Sequence, residues 1–249
     1  MGGGHAMVIA RMKFIKGEEV KYISHLDLQR AFQRALRRGE IDIAYSQGYN
    51  PHPKISFAMA LSVGMTSEGE YVDVELKDWY DADELIIKIN SVLPKGLQIK
   101  ECIISDEKHP SLMSTIRMGL YKIKLYMQNT PNKLEIEERI NEFLLQKEIK
   151  VNRTNKRGIL VEKDIRQLIE AIIVAKVEKN NVYIELKIAT GSQNNVKPEL
   201  VIEKLFSFGD IPLLYDSLKI HRVDLFAQVE GELISPIKLF NQKSGRENM

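Results

Sequence analysis

Apolar and polar residues alternate over Val8–Ile15 (VIARMKFI), the period-two pattern of a half-buried strand. Ser24 then opens a helical pattern, with Asp27 three residues on as an acidic variant of the capping box and Gly39 after the last turn. Ile41–Tyr45 reads as a second strand. Ser46–Lys54 (SQGYNPHPK) reads as a loop, because it gathers Gly48, Asn50, Pro51 and Pro53. Alternation returns in Ile55–Leu61 and Tyr71–Leu76 across a turn-like Gly64–Gly69. A helix over Asp81–Leu93 stops at Pro94 and Gly96, and Leu97–Ile104 is a further strand.

The order strand, helix, two strands, helix, strand then recurs. Met118–Met127 alternates. Asn132–Lys147 is an amphipathic helix carried by Leu134, Ile136, Ile140, Phe143 and Leu144. Ile149–Arg153 and Gly158–Glu162 form a short hairpin around Asn155–Arg157, and Leu168–Val177 with Val182–Ala189 a longer one about Lys179–Asn181. Pro198 suits the first turn of a helix reaching Phe206, and Ile220–Gln228 closes as a strand. Two successive βαββαβ patterns predict an α+β fold of two tandem ferredoxin-like units with additional hairpins. The expected boundaries are an N-terminal domain at 7–104, a linker at 105–116, a C-terminal domain at 117–230 and a mobile tail at 231–249. A single larger α+β sheet with extra hairpins accounts for the same pattern.

Composition narrows the classes. A chain of 249 residues, 44% apolar and 28% charged, buries a core without metal or disulfide staples. No stretch approaches ~18 consecutive apolar residues, which excludes a spanning helix, and no membrane partner is expected. Met1–Ala6 (MGGGHA) reads as an expression tag remnant, and without a charged-then-apolar leader the cytoplasm is the expected compartment. Cys102 is the one cysteine, which excludes an internal disulfide, a CxxC zinc site and a cysteine-held iron–sulfur cluster. No GxGxxG, Walker, HExxH or GxSxG motif occurs, and no cofactor or metal is expected. The acids Asp73, Glu75, Asp78, Asp81 and Asp83 straddle a strand and a helix start, the placing of a solvated edge and of dipole partners. His109 and His221 stand isolated in the sequence.

The net charge of +2 is small, yet it is unevenly spread. Arg11–Lys54 holds nine Lys/Arg against five Asp/Glu, whereas Glu68–Glu84 holds eight acids and only Lys77. On helix 24–38, Leu28, Phe32, Ala35 and Leu36 point one way at ~100° per residue, and Arg30, Arg34, Arg37 and Arg38 the other. Four guanidinium groups on one ridge repel, and their planar forks suit phosphate oxygens. A solvated face whose arginines reach acids such as those of Glu68–Glu84 answers the same spacing. The Pro-bracketed loop would present Ser46, Tyr49, Asn50, His52 and Lys54 in defined geometry, fit for stacking on a base and holding a phosphate. A Pro-rich connection with Tyr49 in the core is the alternative. His25, in the first turn of the helix, and His52 are the weak candidates for catalysis, as a metal-free acid–base pair.

The run Tyr22–Leu76, with its SHLD and YSxGxNPHPK elements at Ser24–Asp27 and Tyr45–Lys54, resembles the bacterial radical SAM-linked protein family. Tyr49 stands where many members carry Phe. The resemblance implies a partnership with a radical S-adenosylmethionine enzyme encoded beside or fused to the family. Such an enzyme needs three cysteines and this chain has one, so an accessory, non-catalytic role follows. Tandem ferredoxin-like units with a basic helix are also similar in architecture to CRISPR repeat-processing endoribonucleases, an analogy only. The resulting expectation is an RNA-binding accessory protein that positions tRNA or rRNA for a partner radical SAM enzyme. Arg30, Arg34, Arg37, Arg38 and Lys54 would meet phosphates, Tyr49 would stack, and Asn50 with His52 would read base edges, with Ser46 as a hydroxyl donor. The alternatives are a protein-interaction adaptor docking the radical enzyme and a metal-free endoribonuclease.

Overall fold

A computed structural model describes residues 7–154, 158, 160–209, 214 and 217–244, with 153, 154 and 242–244 described by backbone alone. The tag reading at 1–6 and the turn Asn155–Arg157 lie outside the described residues. The architecture is mixed α/β built on a large sheet. The chain divides into two compact units, one comprising residues up to Arg117 together with those from Asp224 on, the other Met118–Val223.

In the first unit, β1 (Val8–Lys16) leads to α1 (His25–Arg38), β2 (Ile55–Phe57), β3 (Thr66–Leu76), α2 (Ala82–Asn90) and β4 (Leu97–Ser105). The strand order is β4-β1-β3-β2, every pair antiparallel. Pleating sends alternate residues to opposite faces. One face holds Ala10, Met12, Phe14, Val72 and Val74, which pack with Leu28, Phe32 and Leu36 of α1 and Leu85 and Ile89 of α2. Phe14, Phe32 and Phe57 meet edge to face at 4.8–6.0 Å, the offset aromatic geometry that adds to area burial.

The other face carries Ile9, Arg11 and Lys13 of β1 directly opposite Glu75, Asp73 and Tyr71 of β3. Part of it is covered by α3 (Leu112–Thr115), through Leu112, and by Ile237 of a C-terminal helix, around Tyr71, Ile116 and Leu225.

The second unit follows with β5 (Ile116–Tyr126), α4 (Lys133–Leu145), the separate hairpin β6 (Lys150–Thr154) and β7 (Leu160–Asp164), then β8 (Ile169–Glu178), β9 (Asn181–Ala189), α5 (Pro198–Phe208) and β10 (Lys219–Val229). Its strand order is β10-β5-β9-β8. Asn132 caps α4, its side chain accepting from the Leu134 amide, and Ile136, Ile140 and Phe143 form the buried stripe. β10 brings the chain back into the first unit at Asp224, where β11 (Glu232–Ile234) and α6 (Pro236–Ser244) end the described chain.

Several sequence expectations shift. Ile41–Tyr45 makes isolated bridges, Ile43 to Leu76 and Tyr45 to Pro53, because β2 takes the regular pairing with β3 and is itself only three residues long. β3 starts at Thr66, inside the expected Gly64–Gly69 turn, and α2 ends at Asn90 with Ser91 as its C-cap, short of Leu93. The stretch read as a linker contains buried Leu112 and Ile116. Within the stretch read as a mobile tail, α6 buries Ile237 and Phe240. Among the described residues no helix is long and apolar enough to cross a membrane.

Candidate nucleic-acid interface

Helix α1 is fixed at both ends by local chemistry. The Ser24 hydroxyl accepts from the Asp27 amide at 3.1 Å and donates to the Asp27 carboxylate at 2.7 Å. These bonds, the Ser24 hydroxyl foremost, hold the Asp27 carboxyl below the usual carboxylate range. Gly39 ends the helix, its amide donating to Ala35 and Arg37 carbonyls. With Leu28, Ala31, Phe32, Ala35 and Leu36 buried, the four arginines stand exposed on the opposite side.

They are not equivalent. Arg30 donates to Asp27 at 3.3 Å, one turn back. Arg34, Arg37 and Arg38 make no hydrogen bond or ion pair among the described residues, and none of the acids of Glu68–Glu84 reaches them. Those acids have other occupations: Asp73 takes Arg11, Glu75 takes Lys54, and Asp81 caps α2. Upstream of the ridge, Tyr22 is 73% exposed and Leu26 54%, with the Lys21 ammonium 5.1 Å from the Tyr22 ring. The helical spacing of four from Leu26 to Arg30 to Arg34 sets Leu26 in line with the cations, while Tyr22 precedes the helix. Sequence reading passed over them because an apolar residue on a helix is ordinarily assigned to the core. The place of Leu26 on the wheel, about 120° from Phe32 and within about 40° of Arg30, is the signal that separates it.

The loop after α1 is pinned at its neck. Ser46 and His52 exchange a backbone bond at 2.9 Å while the Ser46 hydroxyl accepts from the His52 amide at 2.9 Å. Lys54 and Ala44 close the next rung at 2.9 Å. Gly48 sits at φ +122°, a region closed to side-chain-bearing residues without strain, which explains the glycine in this turn. Tyr49 projects fully into solvent, and Asn50 and His52 are exposed. Lys54 is tied to Glu75 at 2.7 Å, so its charge is already partnered. Ser46 is likewise engaged in the neck and acts as an acceptor there.

His25 packs its ring edge on Phe57 at 5.5 Å and shares a hydrogen bond with Gln29 at 3.2 Å. No hydrogen bond, ion pair or ring contact joins His25 to His52, nor the α1 arginines to the loop, among the described residues. The site features of the first unit are thus a bare guanidinium ridge on α1 and a hydrogen-bonded loop that carries an exposed aromatic ring.

On the opposite face of the sheet stands a buried polar cluster that periodicity did not reveal. Arg11, 1% exposed, donates from Nε and Nη2 to both Asp73 oxygens at 2.8 Å. Its guanidinium also lies 4.4 Å from the Phe240 ring centroid and reaches the Pro236 and Pro110 carbonyls at 3.4 and 3.5 Å. Burial pushes the Asp73 pKa up, and the Arg11 bonds oppose that shift. Beside it, Lys13 at 2.8 Å and the Tyr71 hydroxyl at 2.6 Å both donate to Asp224; burial of the phenol, and then the Asp224 charge, push the Tyr71 pKa up. His109 stacks on Phe240 at 3.8 Å and hydrogen-bonds the Ser105 hydroxyl at 2.9 Å.

Comparison with known proteins gives a family and little more. The sequence model of a family described as "Uncharacterized protein conserved in bacteria (DUF2344)" matches residues 10–198. No curated protein matches the chain. Among solved structures, it is similar to a chain of a Cbf5–Nop10–Gar1 complex at 12% identity and TM-score 0.48, covering 91% of this chain and 51% of that one. A chain of an H/ACA RNP bound to a substrate RNA containing 2'-deoxyuridine gives 10% and 0.45, covering 86% and 46%. A chain of an archaeal box H/ACA sRNP Nop10–Cbf5 complex gives 10% and 0.43, covering 88% and 47%. The chain spans about half the length of each, and likenesses this loose assign neither fold nor activity.

Proposed function

Starting from a chain that belongs to the DUF2344 family, we propose that it is a cytoplasmic RNA-binding accessory protein that positions tRNA or rRNA for a partner radical SAM modification enzyme. The observation that carries the RNA reading is the row Arg34, Arg37 and Arg38, exposed on α1 with no carboxylate upon them among the described residues. A ridge of unpaired guanidinium groups costs self-repulsion, which phosphates relieve by bidentate bonds. Tyr49, free to stack, and the exposed Asn50 and His52 extend the footprint toward bases. Lys54 contributes less than its charge implies, because Glu75 already neutralises it.

The radical SAM partner rests on the resemblance of Tyr22–Leu76, and the accessory role on a single cysteine, too few for the cluster of such an enzyme. The strand orders β4-β1-β3-β2 and β10-β5-β9-β8, each with two helices between its strands, support reading both units as ferredoxin-like, with β6–β7 as an insertion in the second.

The test is a titration of single-stranded RNA by fluorescence anisotropy at several salt concentrations. Three or four neutralised phosphates give a slope of log affinity on log salt of about −2 to −3. Arg34→Glu with Arg37→Glu flattens that slope and weakens binding at least tenfold at low salt; unchanged binding refutes the proposal. A second reading, an adaptor that docks the radical enzyme through protein contacts, is favoured by the exposed Tyr22 and Leu26 beside the arginines, since aromatic residues and arginine dominate binding hot spots. Co-purification that survives nuclease but fails in Tyr22→Ala with Leu26→Ala supports it.

A further inference from the structure

The helix-free stretch of the first unit's sheet has a hollow of about 310 Å³. Its floor is set by pleat and register. Asp73 and Glu75 lie two apart on β3, Ser56 stands directly opposite Asp73 on β2, and Lys54 lies two residues before Ser56, so all four share one face. Met7 and Ile9 add apolar surface, and His109, held by Phe240 and Ser105, stands in the wall.

The charges in and under this hollow balance. Asp73 is neutralised by Arg11 and Glu75 by Lys54. A site of that kind has no net attraction for a free phosphate or a metal ion. It offers instead acceptors (carboxylate lone pairs beyond those used by the cations), donors (the Lys54 ammonium and the Ser56 hydroxyl) and apolar flanks. Those demands are met together by a neutral, flat heterocycle bearing both N–H donors and ring acceptors. The volume is at the small end of ligand pockets, enough for one base and its ribose and too little for a dinucleotide.

We propose that this hollow is a nucleobase pocket. The proposal rests on the RNA reading above and deepens it: Lys54 closes the rigid loop Ser46–Lys54 and lines the pocket, so a strand held along that loop has a place to put one unstacked base. The same chemistry would accept the base of a free nucleotide, and the experiment separates the two sources.

The full chain is titrated with a single-stranded RNA dodecamer carrying one 2-aminopurine, and separately with the four nucleoside monophosphates followed by NMR on the His109 imidazole. Entry of the base changes 2-aminopurine emission. Ser56→Trp, which fills the hollow from an exposed position, abolishes that change and weakens RNA binding about tenfold, the scale of one or two lost hydrogen bonds. Ser111→Trp fills it from the opposite wall and serves if the first variant fails to fold. RNA binding by the natural chain with unaltered emission, and equal affinity in both filled variants, overturns the pocket and leaves the RNA reading standing. Monophosphates that shift His109 while RNA does not bind at low salt uphold the pocket with a free nucleotide as its ligand and overturn the RNA reading. Silence in both arms overturns both.

Discussion

At the scale of single residues, chemistry follows burial more than type. Cys102 on β4 packs against the core beneath α1 and α2, and that burial, with the nearby Asp83 charge, pushes its thiol pKa up to about 12. A thiol so shifted is a poor nucleophile at neutral pH. The native protein should react with a disulfide reagent at pH 8 more than about 100-fold more slowly than the same protein in guanidinium, as followed by absorbance. Comparable rates would place Cys102 outside the core. Arg11 teaches the same lesson from the other side. In VIARMKFI it reads as one of the polar, outward positions, yet it is almost fully enclosed. Its partners are Asp73, Pro110, Pro236 and Phe240, between 62 and 229 residues away, and a period of two reports which face a residue takes but not what later covers that face. Tyr49 was legible in part: Gly48 and Pro51 announced the turn, but a core place for the ring fitted the same residues, and the structure leaves it in solvent.

At the scale of elements, the local signals translated well. Ser24, Asp27 and Gly39 bound α1, and Asn132 and Pro198 open α4 and α5. Each depends on neighbours within four residues, the range over which sequence and structure coincide. Weak strands did not translate, because whether Ile41–Tyr45 becomes a strand or a pair of bridges is decided by competition for β3. The cap gives a testable magnitude. Ser24→Ala removes the acceptor at the Asp27 amide and should cost about 1 kcal/mol in urea unfolding at pH 7. The Asp27 carboxyl, lowered in the fold by the same hydroxyl, contributes stability above its unfolded value, and that contribution is lost as pH falls through its folded value. The penalty of Ser24→Ala should therefore shrink in acid. A penalty independent of pH would mean the hydroxyl–carboxylate bond contributes nothing.

At the scale of the molecule, the first unit depends on residues far along the chain. Phe240 lies against Arg11 and His109 with no exposed surface. Phe240→Ala should cost about 3–5 kcal/mol, the range for truncating a core phenylalanine, with the Arg11–Asp73 pair less shielded as well. A loss below about 1 kcal/mol in urea unfolding would show that α6 lies outside the core. Because Asp224 and everything after it belong to the first unit while residues 118–223 are contiguous, the two units cannot mature in the order in which they begin. On the ribosome the second has all of its chain first. The first, whose opening strand emerges earliest, waits with Arg11 uncovered until the last helix is synthesised, so a stalled or prematurely released product would expose the very side chains that the finished protein hides.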